Sequence, residues 1–148
     1  MTDTADRRSK GRTLIFCAVG LLVLIGALGI THAVRETDSR AAAVADTGKA
    51  FLRALGSDDG RRACARMTRT AQSALAMEEH RHSCPGAVDA LVGPLDDTER
   101  HRLADSYAST FFAREGSFGH VNVRDNPLQI TELLLSESQG SWLVAEMK

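Results

Sequence analysis

Between Arg12 and Arg35 run 22 residues, Thr13 to Val34, without a formal charge and rich in Leu, Ile, Val, Ala and Gly. As a helix rising about 1.5 Å per residue, this run spans roughly 33 Å, enough to cross a hydrocarbon core of about 30 Å. Ahead of it, Arg7, Arg8, Lys10 and Arg12 outnumber Asp3 and Asp6. Such a basic flank stays on the cytoplasmic side. The expected organisation is therefore a cytoplasmic tail over residues 1–12, a transmembrane helix over 13–34 and an extracytoplasmic domain over 35–148. Membrane lipid is then the first partner, through residues 13–34. A secretory signal peptide shares the basic start and apolar middle, with Thr31-His32-Ala33 and Ala43-Val44-Ala45 as cleavage candidates. Its apolar region is usually about 7–15 residues, shorter than this run. Both readings export residues 35–148. Cys17 lies inside the run behind Leu14, Ile15 and Phe16, without the small residues of a lipid-attachment site, so it is expected to act as a small hydrophobe.

A chain of 148 residues makes one globular domain at most. The formal net charge of −1 excludes a strongly basic nucleic-acid binder. Beyond the apolar run only Cys64 and Cys84 remain, and two thiols in an oxidising compartment are expected to pair. A loop of about 20 residues closed this way stabilises a fold by about 3 kcal/mol in the chain-entropy account. The stretch His80-Arg81-His82-Ser83-Cys84 offers a competing metal reading, since an extended segment would put His80, His82 and Cys84 on one side. A structural zinc site wants four ligands, however, and no second cluster has metal spacing; His101 and His120 stand alone in the sequence. A disulfide would also remove the Cys84 thiolate. No metal and no cofactor is expected.

Residues 35–148 change period midway. Val44, Gly48, Phe51, Leu52 and Leu55 recur at helical spacing over about 39–55, with Gly56 as a stop. Ser57-Asp58-Asp59 caps a second helix that buries Ala63, Cys64 and Met67. A third covers Thr70–Glu79 with Ala74, Leu75 and Met77, and a fourth about 86–93 with Ala87, Val88, Leu91 and Val92, ending at Gly93-Pro94. Strands are then expected over Ser106–Arg114, Phe118–Arg124, Leu128–Ser138 and Ser141–Met147. Glu115-Gly116-Ser117, Asp125-Asn126-Pro127 and Gln139-Gly140 supply the turns. In the last strand, Trp142, Val144 and Glu146 should face one way, and Leu143, Ala145 and Met147 the other. Helices followed by an antiparallel meander make an α+β domain.

The residues Ala50-Phe51-Leu52-Arg53-Ala54-Leu55-Gly56-Ser57-Asp58-Asp59-Gly60, Ala63-Cys64, Cys84-Pro85-Gly86-Ala87-Val88 and Gly140-Ser141-Trp142-Leu143-Val144 carry a resemblance. Over roughly residues 40–148 the chain resembles the NTF2-like (cystatin-like) superfamily, in particular extracytoplasmic domains of high-GC bacteria. Fifteen Arg against three Lys, with 21 Ala, suits a GC-rich coding sequence. The resemblance implies a cone of helices packed on a curved antiparallel sheet. Some members are ketosteroid isomerases or dehydratases; others bind ligands or serve as assembly modules, among them membrane-tethered subunits of secretion and lipid-import systems. The matching residues are helix ends, the cysteine pair and a packed Trp, and none is catalytic.

Three functions follow as expectations. The first is a non-catalytic, membrane-anchored binding or assembly domain whose partner is another envelope protein or a second copy of itself. The second is an isomerase or dehydratase, which needs a pocket base and a hydrogen-bond donor for developing charge. Asp105 lies two residues before Tyr107, the only tyrosine, so a strand would aim both at one face, with His101 four residues upstream of Asp105. The third is apolar ligand capture, with Phe111, Phe112, Leu133 and Leu135 lining a hollow. The sequence lacks a phosphate-binding loop, a dinucleotide fingerprint, a nucleophile elbow and an HExxH motif. The first expectation is preferred.

Overall fold

The computed structural model describes residues 39–112 and 118–148, with Tyr107, Ala108, Phe111 and Phe112 described by their backbone alone. The expected membrane span, the turn region over residues 113–117 and residues 1–38 as a whole lie outside the described residues. Among those described, no helix is long and apolar enough to cross a membrane. The fold is α+β, five helices followed by a four-stranded antiparallel sheet in the order β1-β2-β3-β4.

Helix α1, residues 39–56, buries the expected stripe of Val44, Gly48, Phe51, Leu52 and Leu55. It ends in paired bonds, Asp59 N–H to the Ala54 carbonyl and Asp58 N–H to the Leu55 carbonyl, with Asp58 at φ 54°. That is a Schellman ending, and Asp58, not Gly56, holds its left-handed position. Gly56 is needed for another reason. A Cβ there would sit 2.5 Å from the Arg100 carbonyl oxygen and 2.7 Å from Ala104.

What presses on Gly56 is a helix the periodicity did not reveal, here α5, Asp97–Ala104. It buries a single large apolar residue, Leu103, so it has almost no stripe. Its start is fixed by a capping box in which Asp96 accepts from the Glu99 N–H and Glu99 accepts from the Asp96 N–H. Arg100 then joins it to the end of α1, pairing with Asp58 at 3.1 Å.

Helices α2 (Gly60–Ala65), α3 (Arg69–Glu78) and α4 (Cys84–Val92) are capped by Asp59, Thr68 and Ser83. Cys64 of α2 and Cys84 of α4 form the expected disulfide, with Cα atoms 6.0 Å apart. Of the residues read into the third helix, Leu75 is buried, Ala74 is exposed and Met77 is 71% exposed.

Strands β1 (Tyr107–Phe112), β2 (Phe118–Arg124), β3 (Glu132–Ser138) and β4 (Ser141–Met147) pair in sequence order. Strand β3 starts four residues later than the composition suggested. The Asn126 side chain donates to the Ile130 carbonyl and accepts the Ile130 N–H, which holds 126–130 in a loop instead. Gln139 and Gly140 both have positive φ, as a two-residue hairpin turn of this twist requires. The register slips between β3 and β4, where Leu135 pairs with Val144 but Leu134 pairs with Glu146. This bulge at Ala145 corrects the simple alternation. Trp142 and Val144 are buried as expected, whereas Glu146 turns outward and Met147 packs on the core opposite Leu133.

Helix α1 crosses β2 through reciprocal size matching. A Cβ on Gly119 would lie 2.5 Å from Val44, and one on Gly48 would lie 3.0 Å from Val121. Each valine fills the space its glycine partner leaves. At its N-terminal end, α1 is tied to the β3–β4 hairpin by Arg40, which pairs with Glu137 at 3.1 Å and stands 5.6 Å over the Trp142 ring. The free edge of β4 is partly covered as well, because Thr68 N–H bonds the Val144 carbonyl and Val144 N–H the Arg66 carbonyl.

Candidate functional site

Three local irregularities leave a groove at one end of this domain. Residues 66–68 follow the edge of β4 but then turn into α3, so helix and strand diverge. The bulge aims Met147 inward, and the Asn126 clamp with Gln129 at φ 58° carries Leu128 and Ile130 across the end of the sheet. The resulting groove has a volume of about 300 Å³ and opens to solvent. Its floor and walls are Met67, Ala71, Leu75, Leu91, Ile130 and Met147, and its rim carries Glu78, Glu79, Glu146 and Lys148. Lys148 is engaged by Glu132 at 3.1 Å. The rim glutamates enter no ion pair with described residues.

A second polar feature lies on the outer face of the sheet. His120 of β2 meets Glu132 of β3 through Nδ1, and Lys148 takes the other carboxylate oxygen. His120 and Glu132 have side chains 18% and 20% exposed, so solvent screens them only partly. The hydrogen bond to His120, then that to Lys148, holds the Glu132 carboxyl below the usual carboxylate range. With both oxygens engaged, Glu132 orients and stabilises its neighbours and is poorly placed to take a proton from a substrate. His120, read as solitary in the sequence, thus shares a cluster with Glu132 and Lys148. The cross-strand register brought it there.

The dehydration or isomerisation reading does not keep its geometry. Asp105 is the C-cap of α5, and β1 begins only at Tyr107, so strand alternation cannot aim Asp105 with it. His101 and Asp105 are both exposed. The side chain of Tyr107 lies outside the described residues, as do those of Phe111 and Phe112. Among the described residues no polar or charged residue is fully buried. Leu133 and Leu135, named above as ligand-lining, are fully buried core and do not border the groove.

The metal reading loses its extended segment. Residues 79–83 form a turn in which His80 has φ 51°, His80 and His82 are exposed, and Cys84 is in the disulfide. Among the described residues no group of three or more His, Cys, Asp or Glu side chains is arranged to hold a metal ion.

The groove was not legible from periodicity because its lining comes from elements read separately. Met67, Leu75 and Leu91 looked like core, Leu128 and Ile130 like strand, and Glu78-Glu79 like an ordinary helix end. The available signal was Asn126 followed by Pro127, which favours a side-chain-closed loop over an early strand. No family model, curated protein or solved structure matches this chain.

Proposed function

We propose that this chain is a membrane-anchored, extracytoplasmic binding or assembly domain of NTF2-like type, with residues 13–34 in the bilayer and 35–148 outside. The observation that carries the reading is the Cys64–Cys84 disulfide in a chain that also holds a 22-residue uncharged run. Disulfides persist in oxidising compartments, and the run supplies a route there. The order of helices followed by an antiparallel meander supports the NTF2-like reading, and the apolar groove beside α3 supports a binding role.

A periplasm-active reporter fused after Lys148, together with thiol trapping of the native chain, tests this directly. The reporter should be active, Cys64 and Cys84 should resist alkylation until reduced, and the chain should keep its full mass in the membrane fraction. A reporter active only in the cytosol would overturn the reading. A shortened, released chain would replace the anchor by a cleaved signal. Reducing the bridge, or replacing both cysteines by Ser, should lower stability by about 3 kcal/mol.

A further inference from the structure

The groove between α3 and the end of β4 combines an apolar interior with an acidic rim. Met67 and Met147 face it, and methionine thioethers are unbranched and adapt to differing partner shapes. Ala74 lines the groove, and Met77, three residues on, is its neighbour on the helix surface. Apolar surface therefore continues out of the groove to a Met side chain 71% exposed. Around this surface Glu78 and Glu146 are exposed and Glu79 is half-buried, with no cation among the described residues paired to them. The one lysine on the rim is already held by Glu132. At about 300 Å³ the groove is at the small end of ligand pockets, room for a few side chains and not for a folded surface.

We propose that this groove binds a short cationic peptide segment of a partner protein, its apolar side chains in the groove and its Lys or Arg side chains on Glu78, Glu79 and Glu146. The charge complementarity sets the occupant: an acidic or neutral apolar segment would leave three carboxylates uncompensated beside it. The proposal rests on the binding role proposed above and names the partner chemistry for it.

The test uses the full chain in phosphatidylcholine nanodiscs, with empty nanodiscs as the blank. The probes are a fluorescent peptide alternating Leu and Lys and its counterpart alternating Leu and Glu. The lysine peptide should bind saturably and weaken when salt rises from about 50 mM to about 500 mM. The glutamate peptide should bind at least about tenfold more weakly. The triple change Glu78→Gln, Glu79→Gln and Glu146→Gln should cost about tenfold in affinity for the lysine peptide. Ala74→Arg, on an exposed helix position, should weaken it comparably and carries the test if the triple variant is misfolded by Trp142 fluorescence. Equal binding of the two peptides, no saturable binding, or unchanged affinity in the variants would each overturn the proposal. These results are separate from the topology reporter, which can place the domain outside whatever the groove does.

Discussion

Strand β2 meets two different environments with alternate residues. Inward, Gly119, Val121 and Val123 press on the core, where Gly119 and Val121 interlock with Val44 and Gly48 of α1. Outward, Phe118, His120 and Asn122 belong to a face where Phe118 is 45% exposed and His120 joins a polar cluster. The inner seam is held by shape: dispersion and burial depend on atoms touching without voids or overlaps. The outer face is held by charge and hydrogen bonds that solvent partly screens. A change of one methyl group should therefore be costly on one side of the strand and nearly neutral on the other.

Gly119→Val is the harshest way to break that contrast. Its Cβ alone would overlap Val44, at 2.5 Å and 2.8 Å from the two methyl carbons, and α1 would have to lift from the sheet. A loss of about 3 kcal/mol is expected in urea unfolding followed by Trp142 fluorescence. Val44→Ala in the same chain should recover a sizeable part, because the two positions share one space. Additive effects would mean the seam is not the jigsaw its geometry implies.

Val121→Ala probes the same seam from the opposite direction. It removes two methyl groups from a fully buried position facing Gly48 and should cost about 2 kcal/mol. Adding Gly48→Ala returns a methyl to that space and should give back part of the loss. If the double variant is weaker than Val121→Ala alone, helix and sheet are closer than size matching requires.

On the outer face, Glu132→Gln should cost only about 0.5–1 kcal/mol at neutral pH, the range for partly screened pairs. Its pH dependence is more telling. The folded-state carboxyl is held below its ordinary value by His120 first and Lys148 next. A depressed carboxylate contributes stability fully present above its unfolded value, near about pH 4.3, and lost as pH falls through the folded value. Glu132→Gln should therefore flatten the decline of stability on the acid side, while the neutral plateau drops slightly. An unchanged acid limb would remove the electrostatic half of the contrast.

The two sides of β2 also differ in how much of them could be read in advance. Binary alternation placed Val121 and Val123 inward, and the bounds of β2 and β4 follow directly from composition and the Gln139-Gly140 turn. The stripe of α1 was equally plain. What could not be read are features made by pairs of distant residues. His120 gained its partner through cross-strand register, Glu146 and Met147 exchanged faces through a bulge, and Gly56 was claimed by a helix with one buried leucine. Periodicity reports burial along one element. It is silent on which element lies opposite, and the groove, assembled from several separate stretches of chain, inherits that silence.

The smallest effect makes the finest test. Ser136 lies half-buried on the outer face of β3, opposite Phe118 on one side and Leu143 on the other. Serine is a poor strand residue, whereas threonine adds a methyl group that suits the pleated surface and packs against an aromatic cross-strand neighbour. Ser136→Thr should raise stability by about 0.5 kcal/mol, with the urea midpoint moving up at constant slope. The methyl group it adds is chemically the same as one whose addition at Gly119, the cross-strand partner of Leu135, is expected to be destabilising. A loss of more than about 1 kcal/mol for Ser136→Thr would mean the outer face is as tightly filled as the seam, and the difference between the two sides of β2 would then rest on the His120–Glu132–Lys148 cluster alone.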